Sequence, residues 1–330
     1  MRSETNTDNI APNFDFSPTA LLLKKQLIDN RSPSTDTYLP ADGYYQLSPA
    51  TLGKVNDEVV TVLASSIRRA RRLPRLIVAW GKCRTGSTPL TNLFGMAGIT
   101  SYYQPVKTVA RHVLAGGHAE PWGIPSDEDV IFCKEMAGPY THYECVYNPI
   151  DLLIRSGWPT DRLHLLVLDR DPGAAFRSWA DKWASRIGRA RMASNFYLSS
   201  LNYGPIREYA ARNGVACTSY PYEIIRSGEV VVQQLFSELG LADHFKPDIT
   251  RNWGETGDLN SNHAALHYPI EPEQYHVSNL HRDSSAGYAY VMPRTDQLEG
   301  DEREIVTSDE VVSSYQTSIT EARKWAGDFE

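Results

Sequence analysis

The stretch Gly81-Lys-Cys-Arg-Thr-Gly-Ser-Thr88 combines small residues, hydroxyls and two cations directly after the apolar run Leu76–Trp80. Small residues let the chain turn sharply, and the backbone N–H groups of such a turn can point at anionic oxygens. A helix starting where the turn ends adds partial positive charge, so the chemistry on offer is the holding of a phosphate-like group. A Walker-type loop reads GxxxxGK[ST]. Gly81 and Gly86 keep that spacing, but Ser87 stands in the lysine's place and the cation comes earlier, at Arg84 or Lys82. A second loaded segment, Asp169-Arg170-Asp171-Pro172, closes the apolar run Leu163–Leu168, and Ser178 follows Arg170 by eight residues. Arginine presents a planar fork to a phosphate, and Pro172 can open a helix that carries Ser178 about two turns on. Taken alone, Arg170 and Asp171 read equally well as a surface ion pair at a helix start.

These segments need elements to position them. Leu76–Trp80 is too short for a helix and predicts a buried strand, with a helix over Thr88–Gly98. Val130–Lys134 and Leu163–Asp169 predict further buried strands, with helices over Val146–Ser156 and Ala174–Arg189. Cys217–Tyr220 predicts a last strand before a helix over Val230–Leu239. Strands alternating with helices at this spacing imply an α/β fold with a mostly parallel sheet flanked by helices on both faces. Upstream, residues 1–50 are rich in Ser, Thr, Asn, Asp and Pro and predict a partly irregular N-terminal extension, with one amphipathic piece at Thr19–Ile28. The core then spans 51–250 and opens with a helix, because Val55, Val59, Val60, Leu63 and Ile67 recur at helical spacing before the basic run Arg68–Arg72. Residues 251–330, rich in Asn, His, Ser, Tyr and Pro before a helix near Val311–Trp325, predict a flap and a helix packed on the core.

Arg84-Thr-Gly-Ser-Thr88 after a strand resembles the loop by which sulfotransferases bind the 5′-phosphosulfate of PAPS (3′-phosphoadenosine 5′-phosphosulfate). Arg170 and Ser178 resemble the pair with which that family holds the 3′-phosphate. Tyr220-Pro-Tyr-Glu223, followed by a helix ending Leu239-Gly-Leu241, resembles a third family segment concerned mostly with packing. The resemblance runs from Arg75 to Leu241, about half the chain. It implies the P-loop-like sulfotransferase fold of the bacterial type, PAPS as donor, PAP as product and no metal. By that resemblance Arg84 sits beside the bridging oxygen, while Lys82, Thr85, Gly86, Ser87 and Thr88 surround the phosphate.

Sulfuryl transfer leaves negative charge on the departing phosphate oxygen and a proton on the acceptor, so it calls for cations and a base. Many bacterial relatives carry a Glu just after the second strand; here Tyr102-Tyr-Gln-Pro105 puts Gln104 in that place, which can orient an acceptor but not take its proton. The family's Lys-Thr-His run is matched by Lys134-Glu-Met136, with the lysine kept and the histidine missing. His142 is the substitute base expected here, with His112 and Glu135 behind it. The tail also gathers His263, His267, His276, His281 and Arg282 without metal-ligand spacing.

The net charge of −7 excludes a general nucleic-acid binder and leans the acceptor towards a neutral or cationic small molecule, such as a natural product. Cys83, Cys133, Cys145 and Cys217 form no CxxC pair and read as free thiols of a reducing compartment. No run approaches the roughly 20 apolar residues of a membrane span, and Met1–Pro18 lacks an apolar signal core. A soluble cytoplasmic enzyme is expected, with homodimerisation left open. Two rival readings stand beside it. One is a P-loop small-molecule kinase or NTPase, with Leu165–Asp169 as the strand that ends in a magnesium-binding Asp. The other is a non-catalytic relative that binds PAPS or PAP and has lost its base.

Overall fold

The computed structural model describes residues 16–251, 265–277, 287–291, 298 and 300–329. A short antiparallel pair, β1 (Tyr38–Leu39) and β2 (Ala50–Thr51), precedes the main sheet. That sheet consists of β3 (Arg75–Lys82), β4 (Ser101–Tyr103), β5 (Val130–Ala137), β6 (Leu163–Asp169), β7 (Ala216–Pro221) and β8 (Leu266–His267). Its order is β7-β6-β3-β5-β4-β8, and every neighbouring pair is parallel.

Parallel strands buried on both faces read as continuous apolar runs, and their alternate side chains must feed two different cores. Leu76, Val78 and Trp80 enter one core with Ile131, Cys133, Leu163, Leu165 and Val167. Ile77 and Ala79 enter the other with Phe132, Leu166 and Leu168. The first face is covered by helices Leu52–Arg69, Pro105–Leu114, Pro172–Ile187 and Arg189–Leu201; the second by Ser87–Met96, Glu229–Glu238 and Asp309–Ala326. The protein is therefore an α/β fold with helices on both faces of a parallel sheet.

The predicted strand Leu163–Asp169 is observed over those residues, and the helix after it starts at Pro172, with Asp171 Oδ1 accepting from Ala174 N at 2.8 Å. The expected helix Val146–Ser156 is instead two short ones, His142–Val146 and Pro149–Arg155. Pro149 has no N–H to continue a helix, and Asn148 caps the second by accepting from Ile150 and Asp151. The helix Arg189–Leu201 was not predicted, since it is buried continuously from Met192 and lacks an amphipathic signature. The N-terminal piece is a helix, Pro18–Ile28, that buries Ala20, Leu23 and Leu27. In the tail, Leu266–His267 joins the sheet edge beside β4, and helix Asp309–Ala326 reaches the core through Ser318, whose hydroxyl donates to Asp169 Oδ2 at 2.7 Å. The flap expectation rests on residues of which His263, His281 and Arg282 lie outside the described ones. Among the described residues no helix is long and apolar enough to cross a membrane.

Candidate functional site

In an open parallel sheet the crevice for a ligand lies beyond the carboxyl ends of the strands, where successive connections leave in opposite directions. Here that place is between β3 and β6. The chain after β3 passes into helix Ser87–Met96 on one face, and the chain after β6 passes into Pro172–Ile187 on the other. Arg84 and Arg170 stand at the start of those two connections.

The loop after β3 depends on two backbone positions. Arg84 and Gly86 have φ of 71° and 79°, the left-handed region. Arginine there is uncommon and marks a backbone held by its surroundings. At Gly86 a side chain is excluded as well, because a Cβ would lie 2.4 Å from Cδ2 of Tyr222. Gly86→Ala is expected to lower stability by about 1–3 kcal/mol through strain and clash, read as a lower Tm in calorimetry. An unchanged Tm would show that the loop relaxes freely.

Arg84, Arg170 and Ser178, predicted from distant parts of the chain, are brought together. Arg84 Nε donates to Ser178 Oγ at 2.8 Å, and Arg170 Nη1 donates to the Arg84 carbonyl at 3.1 Å. The Arg170 guanidinium lies 4.6 Å from the centroid of the Tyr222 ring. Its buried Nε has no hydrogen-bond partner among the described residues, a donor that such a site normally satisfies. The Tyr220–Glu223 segment does more than pack: Tyr222 floors both Gly86 and Arg170, and Glu223 Oε1 accepts from Asp171 N at 3.0 Å. Its role was missed because an aromatic two residues past a strand's midpoint carries no sequence mark of which loop it meets.

Other predicted contacts are corrected. Lys82 is 2% exposed and forms an ion pair with Asp169, so its amine faces the protein interior rather than the loop. Asp169 is likewise engaged, by Lys82, by Ser318 and by the Arg170 N–H at 2.8 Å. A Walker-type NTPase needs that carboxylate turned towards a metal ion, and here it is turned towards Lys82. The Thr85 hydroxyl donates to the Lys82 carbonyl at 3.1 Å, closing the turn, which leaves its backbone as the part able to meet a ligand. Ser87 opens helix Ser87–Met96, whose first turn has no side-chain cap among the described residues.

Thr88 Oγ1 accepts from Lys134 Nζ at 3.1 Å, joining the loop to β5. Lys134 also lies 4.2 Å from the centroid of the Tyr103 ring. Burial lowers its amine to about 7, against the opposing pull of the Cys83 sulfur and with the Lys107 charge adding to the fall. Gln104 sits beside it: its N–H donates to the Lys134 carbonyl at 2.9 Å, and its φ of 55° is again left-handed. Its side-chain oxygen accepts from Lys107 Nζ at 3.4 Å.

His142 does not join this group. It lines a cavity of about 270 Å3 with Asp42, Gln46, Thr141, Arg191 and Ser194, and no residue of the loop 81–88 lines that cavity. Burial, then the Arg191 charge, lowers its imidazole to about 4. Glu135 is spent on the fold, accepting from Val106 N at 2.7 Å, Lys107 N at 3.0 Å and the Tyr147 hydroxyl at 3.0 Å. His112 is hydrogen-bonded to the Ile270 carbonyl at 2.9 Å. The base expected at His142 is therefore reassigned below.

Fold and site together define an α/β protein with a glycine-bearing loop, two arginines and a serine converging at the switch point of a parallel sheet. No family model, no curated protein and no solved structure matches the chain.

Proposed function

We propose that this protein is a sulfotransferase that moves a sulfuryl group from PAPS to a hydroxyl or amine of a small-molecule acceptor, by in-line transfer without metal. The observation that carries this reading is the convergence of Arg84, Arg170 and Ser178 around the left-handed loop, with a buried Arg170 Nε left for a ligand oxygen. The residues suit the donor. Backbone amides from Thr85 to Thr88 and the uncapped helix start suit its 5′-phosphosulfate. Arg170 and Ser178 suit its 3′-phosphate, and the Tyr222 ring lies beside them.

In the proposed step the acceptor oxygen or nitrogen bonds to sulfur while the bond from sulfur to the 5′-phosphate oxygen breaks. The electron pair stays on the phosphate of PAP, where Arg84 meets the growing charge. The acceptor's proton goes to Lys134 Nζ, whose amine burial keeps partly neutral near pH 7. A general base works best with its pKa near the working pH. Gln104 then orients the acceptor.

The test is calorimetric titration with PAP against ATP plus magnesium. PAP is expected to bind and ATP to bind far more weakly; binding of ATP alone would overturn the reading. Transfer of labelled sulfate to an acceptor panel separates the enzyme from a binding-only relative. Arg170→Ala is expected to weaken PAP binding by about 1.5–3 kcal/mol, the worth of a charged hydrogen bond. An unchanged Kd would place the 3′-phosphate elsewhere.

A further inference from the structure

Helix Pro172–Ile187 carries Ser178, Lys182 and Arg186 four residues apart, so they share one face at steps of about 6 Å. Ser178 is held by Arg84. Arg186 donates to the Tyr140 hydroxyl and the His276 carbonyl, both at 3.3 Å and both neutral. Lys182 has no hydrogen bond or ion pair among the described residues, and neither Lys182 nor Arg186 pairs with a carboxylate there. The Lys182 amine is lowered by burial first, then by the charges of Arg84 and Arg186. Three like charges in a row destabilise one another until an anion joins them. The row also has a direction. It leaves Arg170 and the loop and ends at Tyr140, three residues beyond β5, the strand that carries Lys134.

We infer that Lys182 and Arg186 form a second anion site, which takes an acidic group (carboxylate, phosphate or sulfate) of the acceptor while the donor occupies the loop. This rests on the sulfotransferase reading and deepens it, and it replaces the neutral or cationic acceptor suggested by the net charge of −7. Net charge averages the whole surface, whereas recognition responds to the local field.

Inorganic phosphate titrated calorimetrically into the PAP-saturated protein is the test. Saturable phosphate binding is expected without release of PAP. Lys182→Ala combined with Arg186→Ala is expected to weaken it at least tenfold, with the Kd of PAP moving less than about twofold. Displacement of PAP by phosphate, or an equal loss of PAP affinity in the double variant, would assign the row to the donor and overturn the inference. Absence of phosphate binding in the PAP complex would also overturn it. Failure of the wild-type protein to bind PAP would sink the sulfotransferase reading instead, and phosphate titration without PAP would still report on the row.

Discussion

Lys134→Met is expected to lower kcat by roughly 10²–10⁴-fold, the usual contribution of a positioned general base, while the Kd of PAP changes less than about twofold. Methionine keeps the length and apolar stem but cannot take a proton. The wild-type enzyme should also show kcat/KM rising with pH through about 7, as burial brings the amine there from its usual 10.5. The Tyr103 ring favours the cation and opposes that shift without offsetting burial. The same shift has a stability consequence of known sign. Between about 7 and 10.5 the unfolded chain binds a proton at Lys134 that the folded protein has released, so the contribution to stability rises with pH over that window. The variant should lose both the activity limb and that rise. A Lys134→Met enzyme with normal kcat and an unchanged pH profile would return the base to another residue.

Asp169→Ala is expected to cost about 3–5 kcal/mol, since it strands the Lys82 ammonium in a site only 2% exposed. That is a large share of the roughly 5–15 kcal/mol by which proteins are stable. The double variant Lys82→Met/Asp169→Leu is expected to recover most of the loss, because it removes both charges and their desolvation cost together. Chemical denaturation of the three variants and the wild type checks this. Equal destabilisation of single and double variants would show that the pair's worth lies in its contacts to Ser318 and the Arg170 N–H instead. This result does not depend on what the protein catalyses.

The sheet was legible in the sequence wherever a strand is an uninterrupted apolar run bounded by turns, as at Leu163–Asp169. It was not legible at β4 and β8, which are three and two residues long and owe their pairing to neighbours far along the chain. Arg84, Arg170 and Ser178 could be named because glycine, proline and helical spacing constrain the chain locally. Lys82 was misplaced because strand alternation on β3 sends it into the interior, where Asp169 of the adjacent strand neutralises it. His142 was misplaced because its position depends on where the short helix His142–Val146 docks, beside Asp42 and Arg191.

By itself the sequence determined the parallel sheet, the turn at Gly86 and the choice of arginine for an anion, all properties of residues within a few positions of one another. Only the tertiary structure decided which cations face the crevice and which are consumed by the fold. Charge is resolved through space, and the partners that settle Lys82, Lys134 and Lys182 lie at least 46 residues away or on other elements.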